Sequence, residues 1–131
     1  MYYKTESIAV RYGETDQMCF VHHSNFLKYF ELARIEWLLD LGISYANMEL
    51  DGILMPVVSA KVKFKIPLLF GDKFNVRVSL KKEPKATLEF DYIIVNQKDE
   101  IICTGNTVLA FLSSKKKRPI RCPKFLLEKF S

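Results

Sequence analysis

The spacing of apolar residues changes once along the chain, and the change separates a predicted helical region from a strand-rich region. Between residues 24 and 41 apolar side chains recur at helical spacing and place Phe26, Phe30 and Trp37 on one face. From residue 53 onward apolar and polar residues alternate with a period of two, which is typical of β-strands. The pattern therefore predicts one long helix followed by several strands.

Short polar residues and a glycine mark the ends of the long helix. Ser24 or Asn25 can cap its N-terminus, and Gly42 is expected to end it after about Leu41. Leucines lie on several sides of this helix, so it is apolar over most of its circumference, which indicates that it is central. A second, short helix is predicted for residues 43–50.

Five strands are predicted around these helices. One precedes the long helix, and the others follow residue 52: residues 3–11, 54–66, 73–82, 86–96 and 101–112. Short, turn-like connections join the last three strands, which predicts an antiparallel meander. Gly105 interrupts an apolar run in the last strand, and we expect its missing side chain to let the helix approach the sheet. One helix packed on one antiparallel sheet is an α+β fold.

Composition narrows the class of protein. The chain has 131 residues, of which 49% are hydrophobic and 27% charged, so we expect a single globular domain over residues 1–131. Cys19, Cys103 and Cys122 form no Cys-x-x-Cys pair, which argues against a zinc site or a disulfide framework and favours a reducing cytoplasm. No apolar run has the length of a membrane span, so no stable membrane insertion is expected.

The chain carries a mild positive charge, +5 with a pI near 9.1, which favours an anionic partner. Lys61, Lys63 and Lys65 alternate with apolar residues, so one face of their strand is expected to be buried and the other to meet solvent or an anion. The basic run at residues 115–118 is expected to break the last strand, and residues 123–130 to form a short closing helix. Basic and exposed aromatic residues are not interleaved, which argues against nucleic-acid binding.

Residues 11–26 bring two carboxylates, two histidines and a thiol together just ahead of the long helix. A carboxylate there lies beside the unpaired N–H groups of a helix N-terminus, an arrangement suited to attack on a carbonyl. Cys19 with a neighbouring histidine and Asp16 also suggests a thiol nucleophile. Such triads are normally assembled from distant segments, so we interpret Cys19 as a small loop residue.

The same segment resembles the 4-hydroxybenzoyl-CoA thioesterase and YbgC-like acyl-CoA thioesterases of the hot dog fold. The shared residues are Glu14-Thr15-Asp16, Val21, His23, Asn25-Phe26, Tyr29-Phe30-Glu31-Leu32-Ala33-Arg34 and Glu36-Trp37, followed by Pro67, Gly71-Asp72 and Gly105. The resemblance implies a curved antiparallel sheet around one long helix, and a homodimer or homotetramer with active sites at the subunit interface. Such proteins commonly have glycine where this chain has Cys19, so a positive φ at that position would strain the loop.

The resemblance also implies roles for single residues. Asp16 is the catalytic carboxylate, which either attacks the thioester carbonyl or activates water. The backbone N–H of His23 polarises that carbonyl. Substrate contacts are expected from Val21, Asn25, Glu31, Lys61, Lys63 and Lys65, with the lysines as candidate contacts for the phosphates of CoA. Glu31 and Arg34 are also spaced to pair on the helix.

The expected function is hydrolysis of an acyl thioester of CoA to a free acid and a thiol, in the cytoplasm. No metal or redox cofactor is expected, because CoA enters only as part of the substrate. Two alternatives stay open: a thioesterase acting on acyl carrier protein, and a non-catalytic module that binds acyl thioesters or a carrier protein.

Overall fold

A long helix lies against one face of an antiparallel sheet in the computed structural model, which describes residues 1–131. The helices are α1 (Ser24–Asp40), α2 (Tyr45–Leu50) and α3 (Lys124–Lys129). The strands are β1 (Tyr2–Lys4), β2 (Ile8–Ala9), β3 (Ile53–Leu54), β4 (Val57–Phe64), β5 (Lys73–Leu80), β6 (Thr87–Asn96), β7 (Ile101–Ala110), β8 (Leu112–Ser113) and β9 (Arg118–Pro119). The main sheet has the order β1-β5-β6-β7-β4, with β2 also paired to β5. The predicted meander and the α+β class are therefore confirmed.

Gly105 lets α1 approach the sheet closely, as its place in the sequence predicts. A Cβ atom built at Gly105 on β7 would overlap the ring of Phe30 on α1. Phe30 also stacks on Tyr92 of β6, with ring centroids 4.3 Å apart. Both rings are fully buried, so this contact lies at the centre of the core.

The long helix buries one side only. Phe26, Phe30 and Trp37 are buried, as predicted, but Leu27 and Leu39 are exposed. The helix is therefore central to the core, as predicted, although part of its apolar circumference is exposed in the single chain. Gly42 ends the helix with a φ of +85°, the left-handed conformation that glycine adopts without strain. None of the helices is both long and apolar enough to cross a membrane.

Three predicted strands are divided in the structure. The strand predicted at residues 3–11 breaks at Thr5, whose side-chain oxygen accepts a hydrogen bond from the backbone N–H of Val76 (3.0 Å). The strand predicted at residues 54–66 becomes β3 and β4, which belong to different sheets. The last predicted strand likewise becomes β7 and β8. A period of two predicts extended backbone but does not reveal which partner each segment pairs with.

The basic run near the C-terminus forms the turn of a hairpin. The run breaks the strand, as predicted, because β8 ends at Ser113 and a turn follows, and the chain then returns as β9, which pairs with β8. β9 is the edge of the small sheet β3-β8-β9, where a proline such as Pro119 is tolerated. The predicted closing helix is confirmed as α3, which buries Leu126.

β4 forms one edge of the main sheet and is exposed on both faces. Val58 and Phe64 have exposed fractions of 60% and 57%, although an apolar face of this strand is expected to be buried. The expectation holds for Val62, which packs against the core, but not for Phe64, because β4 is the last strand of the sheet and α1 covers it only in part. An edge strand also presents unpaired backbone groups that can bond to another strand.

Candidate functional site

Asp16 and His23 line one largely apolar cavity at the N-terminal end of α1. Its volume is about 290 Å³. The other residues that line it are Phe20, Val21, Phe26, Phe64, Lys65, Ile66, Pro67 and Leu68. The structure therefore brings Asp16, His23, Val21 and Lys65 together, four of the residues that the sequence singles out.

The loop that carries Asp16 is docked against the segment after β4. The backbone N–H of Val21 donates to the carbonyl of Leu68 (2.7 Å), and the N–H of Phe70 donates to the carbonyl of Cys19 (3.2 Å). These bonds join the Asp16 loop to the opposite wall of the cavity. Phe20, Phe64 and Leu68 were not predicted as site residues, because their apolar character indicates only that they pack somewhere.

Asp16 is held in a turn that uses one of its two carboxylate oxygens. Oδ1 accepts hydrogen bonds from the backbone N–H groups of Met18 (2.8 Å) and Phe20 (3.2 Å). The N–H of Asp16 itself donates to the carbonyl of Phe20 (2.7 Å). Oδ2 makes no hydrogen bond within the chain. The turn thus fixes the direction of the carboxylate and leaves one oxygen free to react.

His23 stands at the N-cap position of α1 and offers a free backbone donor. Its carbonyl accepts from the N–H of Phe26 (3.3 Å), but its own N–H donates no hydrogen bond within the chain. The next N–H, that of Ser24, donates to Nδ1 of His22 (3.2 Å). A free N–H at a helix N-terminus can donate to a developing oxyanion.

Asn25 does not cap α1, and neither does Ser24. The N-cap is His23, whose own side chain accepts no capping hydrogen bond. The side chain of Asn25 instead donates from Nδ2 to the carbonyl of Glu14 (2.8 Å), which also accepts from the N–H of His22 (2.8 Å). The predicted caps are wrong because this carbonyl, eleven residues upstream, is the partner that Asn25 uses. Asn25 therefore ties the Asp16 loop to α1 and does not line the cavity.

Glu14 anchors the same loop on its other side. Its Oε1 accepts from the backbone N–H of Arg11 (2.9 Å), and its Oε2 lies 3.4 Å from the guanidinium of Arg11. Burial raises the pKa of the Tyr29 hydroxyl on α1, and the Glu14 carboxylate adds to that rise. Glu14 is thus placed to hold the loop and does not line the cavity.

Cys19 has the strained backbone that its position predicts. Its φ is +63°, in the left-handed region that favours glycine. Its N–H donates to the carbonyl of Asp16 (3.1 Å), so this conformation closes the turn that holds the carboxylate. The thiol is exposed and is not among the groups that line the cavity.

Glu31 lies apart from Asp16, further along α1. It lines a second, smaller cavity of about 190 Å³ together with Leu27, Lys28, Arg34, Val57, Ala60 and Thr107. Its carboxylate is 3.8 Å from the guanidinium of Arg34, which confirms the predicted pair. The Arg34 side chain is only 6% exposed and reaches the Tyr92 hydroxyl (3.5 Å). Nothing in the sequence indicates that this arginine is buried.

Two of the three candidate lysines also lie away from Asp16. Lys61 and Lys63 line a shallow depression on the outer face of the sheet with Asp91 and Asn106. The strict alternation ends after β4, where the N–H groups of Lys65 and Ile66 both donate to the carbonyl of Ile102 (2.9 and 3.1 Å). Both residues border the Asp16 cavity, whereas alternation alone would place all three lysines on one face.

Comparisons with known proteins give one consistent result. The family described as the thioesterase-like superfamily matches residues 10–130. YneP of Bacillus subtilis, a provisionally assigned acyl-CoA thioesterase, is 32% identical over 121 residues, which are 92% of this chain and 88% of that protein. A solved structure of a DHNA-CoA thioesterase from Staphylococcus aureus is 36% identical, with a TM-score of 0.86 over 92% of this chain and 80% of that chain.

One plant relative is named for a different substrate, an acyl group attached to acyl carrier protein. A chloroplastic acyl-acyl carrier protein thioesterase of Arabidopsis thaliana is 29% identical over 124 residues. The match spans 94% of this chain but 65% of the plant protein.

Proposed function

The chain belongs to the thioesterase-like superfamily, and on this premise we propose that it hydrolyses acyl-CoA thioesters with Asp16 as the reactive carboxylate. The same comparisons confirm the hot dog fold that the sequence predicts. One observation supports the residue assignment: Asp16, whose Oδ2 makes no hydrogen bond, and His23, whose N–H donates none, line one largely apolar cavity.

In the proposed reaction, the carbonyl oxygen of the thioester accepts a hydrogen bond from the backbone N–H of His23. Asp16 then acts in one of two ways: its Oδ2 attacks the carbonyl carbon to form an anhydride that water opens, or it takes a proton from the attacking water. By either route the C–S bond breaks, water supplies the new oxygen of the acid, and the CoA thiolate gains a proton. No step requires a metal or a redox cofactor.

CoA is the favoured carrier of the acyl group. Lys65 borders the Asp16 cavity, and its ammonium can meet a phosphate of CoA at the rim. Transfer from an acyl carrier protein is the second candidate, and the similarity to the plant acyl carrier protein thioesterase favours it. The two are separated by comparing rates on the same acyl group attached to CoA and to a carrier protein.

We also propose that the protein acts in the cytoplasm as a homodimer that pairs along β4. Val58 and Phe64 are exposed on this strand, which is an open sheet edge. The Asp16 cavity borders the end of β4 at Phe64, so a second copy paired there would complete its wall. A monomeric mass in solution, measured by light scattering, would contradict this arrangement.

The assignment of Asp16 is tested by release of free thiol from a panel of acyl-CoAs. Asp16→Asn keeps the shape of the residue and removes the charge, so we expect the rate to fall about 10²–10⁴-fold with an unchanged unfolding temperature. Asp40→Asn is the matched control, because Asp40 is exposed at the opposite end of α1. Undiminished hydrolysis by Asp16→Asn would refute the assignment. Acyl-CoA binding without thiol release from the unmodified protein would instead support a non-catalytic binding module.

A further inference from the structure

The Asp16 cavity ends where an aromatic pair joins the helix to the edge strand. Phe26 on α1 and Phe64 on β4 meet edge to face, with ring centroids 5.2 Å apart and planes at 75°. Both rings line the cavity. They therefore close the groove between α1 and β4 at the end of the space that Asp16 and His23 border.

A second cavity lies further along the same two elements. Leu27 and Arg34 of α1 and Ala60 of β4 line this space of about 190 Å³. Ala60 and Phe64 are four residues apart in one strand, a distance of roughly 13 Å at about 3.3 Å per residue. The two cavities thus follow one another along the groove, and the Phe26–Phe64 pair lies between them.

The volume of the Asp16 cavity limits the acyl group that it can hold. A closed apolar cavity of about 150 Å³ accommodates one benzene ring. The Asp16 cavity, at about 290 Å³, has room for the thioester and a compact acyl group. A long linear chain would have to continue past the aromatic pair into the second cavity.

We propose that Phe64 determines which acyl groups the enzyme accepts, by closing the groove and excluding long linear chains. This inference rests on the function proposed above. Of the two rings, Phe26 is 3% exposed and also packs on Tyr29, so it belongs to the core. In the single chain Phe64 is 57% exposed, and it lies on the edge proposed above to pair with a second copy, so its removal opens the groove without removing a side chain from the core of the single chain.

The test is the dependence of kcat/KM on acyl length, measured with linear acyl-CoAs of increasing length. For the unmodified protein, kcat/KM falls steeply as the acyl chain becomes longer. Phe64→Ala raises the ratio of long-chain to short-chain kcat/KM by about 10-fold or more, since each methylene that a pocket accepts or rejects changes discrimination by about 10–200-fold. Phe64→Leu raises the ratio by a smaller factor. If the alanine variant does not fold, the leucine variant tests whether Phe64 excludes long acyl chains. Leu39→Ala is the control, because Leu39 is exposed near the C-terminal end of α1 and lines neither cavity, and it leaves the ratio unchanged.

A double variant tests whether the acyl chain of the substrate enters the second cavity. Ala60→Leu fills part of the second cavity, so it reverses the gain in the Phe64→Ala background and has no effect on the ratio in the unmodified background. The inference is overturned if the active Phe64→Ala and Phe64→Leu proteins keep the original ratio, or if the unmodified protein already prefers long chains. Failure of the proposed function has a different signature, namely no thiol release from any acyl-CoA.

Discussion

The ring of Phe30 on α1 occupies the space that a side chain at Gly105 on β7 would need. Tyr92 fixes the other face of this ring by stacking on it. The ring therefore cannot move aside without disturbing β6. The missing Cβ at Gly105 therefore sets how closely α1 approaches the sheet. It also sets the position of the N-terminus of α1 at the Asp16 cavity.

Gly105→Ala is expected to lower the free energy of unfolding by about 1–3 kcal/mol, the usual cost of overfilling a packed core. Urea unfolding measures this change. Gly13→Ala is the matched control, because a Cβ atom at Gly13 meets no heavy atom within 4 Å. Adding Phe30→Leu to Gly105→Ala would restore part of the loss. Equal stability of the two glycine variants would contradict the close approach.

Cys19→Gly is expected to raise the free energy of unfolding by up to about 1 kcal/mol, because it removes the cost of a left-handed backbone at a residue with a side chain. The greater freedom of glycine in the unfolded chain offsets part of the gain. Cys19→Ala keeps the strain and removes the thiol, so its stability should match that of the unmodified protein. If the glycine and alanine variants are equally stable, the strain at the φ of +63° does not exceed the entropic cost of glycine.

Asn25→Ala is expected to lower kcat about 10- to 100-fold with little change in KM, because a loop displaced by about 1 Å misplaces the Asp16 carboxylate. The lost bond is the one from Asn25 Nδ2 to the carbonyl of Glu14. Asn47→Ala, on the exposed surface of α2, is the control. A rise in KM at constant kcat would show that Asn25 contacts the substrate directly and does not position the loop.

The sequence predicts the parts of this structure that depend on neighbouring residues. Asp16 and His23 are seven residues apart, so a short loop at a helix start brings them close together, and the distant segment at residues 64–68 then forms the opposite wall of their cavity. Gly105 stands out because it interrupts an apolar strand, and the contact with Phe30 confirms its role. In each case a local pattern and one physical rule are sufficient.

The remaining differences arise from contacts that a local pattern does not contain. Asn25 is a good cap by residue type, but the carbonyl of Glu14 takes its side chain. Lys61 and Lys65 differ in location because the alternation ends where two N–H groups share the carbonyl of Ile102. Phe64 belongs to an apolar pattern that predicts burial, but only the strand order shows that it lies on an open edge.

The turn around Asp16 has a consequence for how the protein can change over evolutionary time. The groups that orient the carboxylate are main-chain amides, which every residue other than proline provides. Gln17 and Met18 are exposed, and their side chains make no hydrogen bond within the chain. Mutations at these two positions can therefore alter the surface beside the cavity without displacing the carboxylate of Asp16. The arrangement keeps the orientation of Asp16 constant while the residues around it remain free to change.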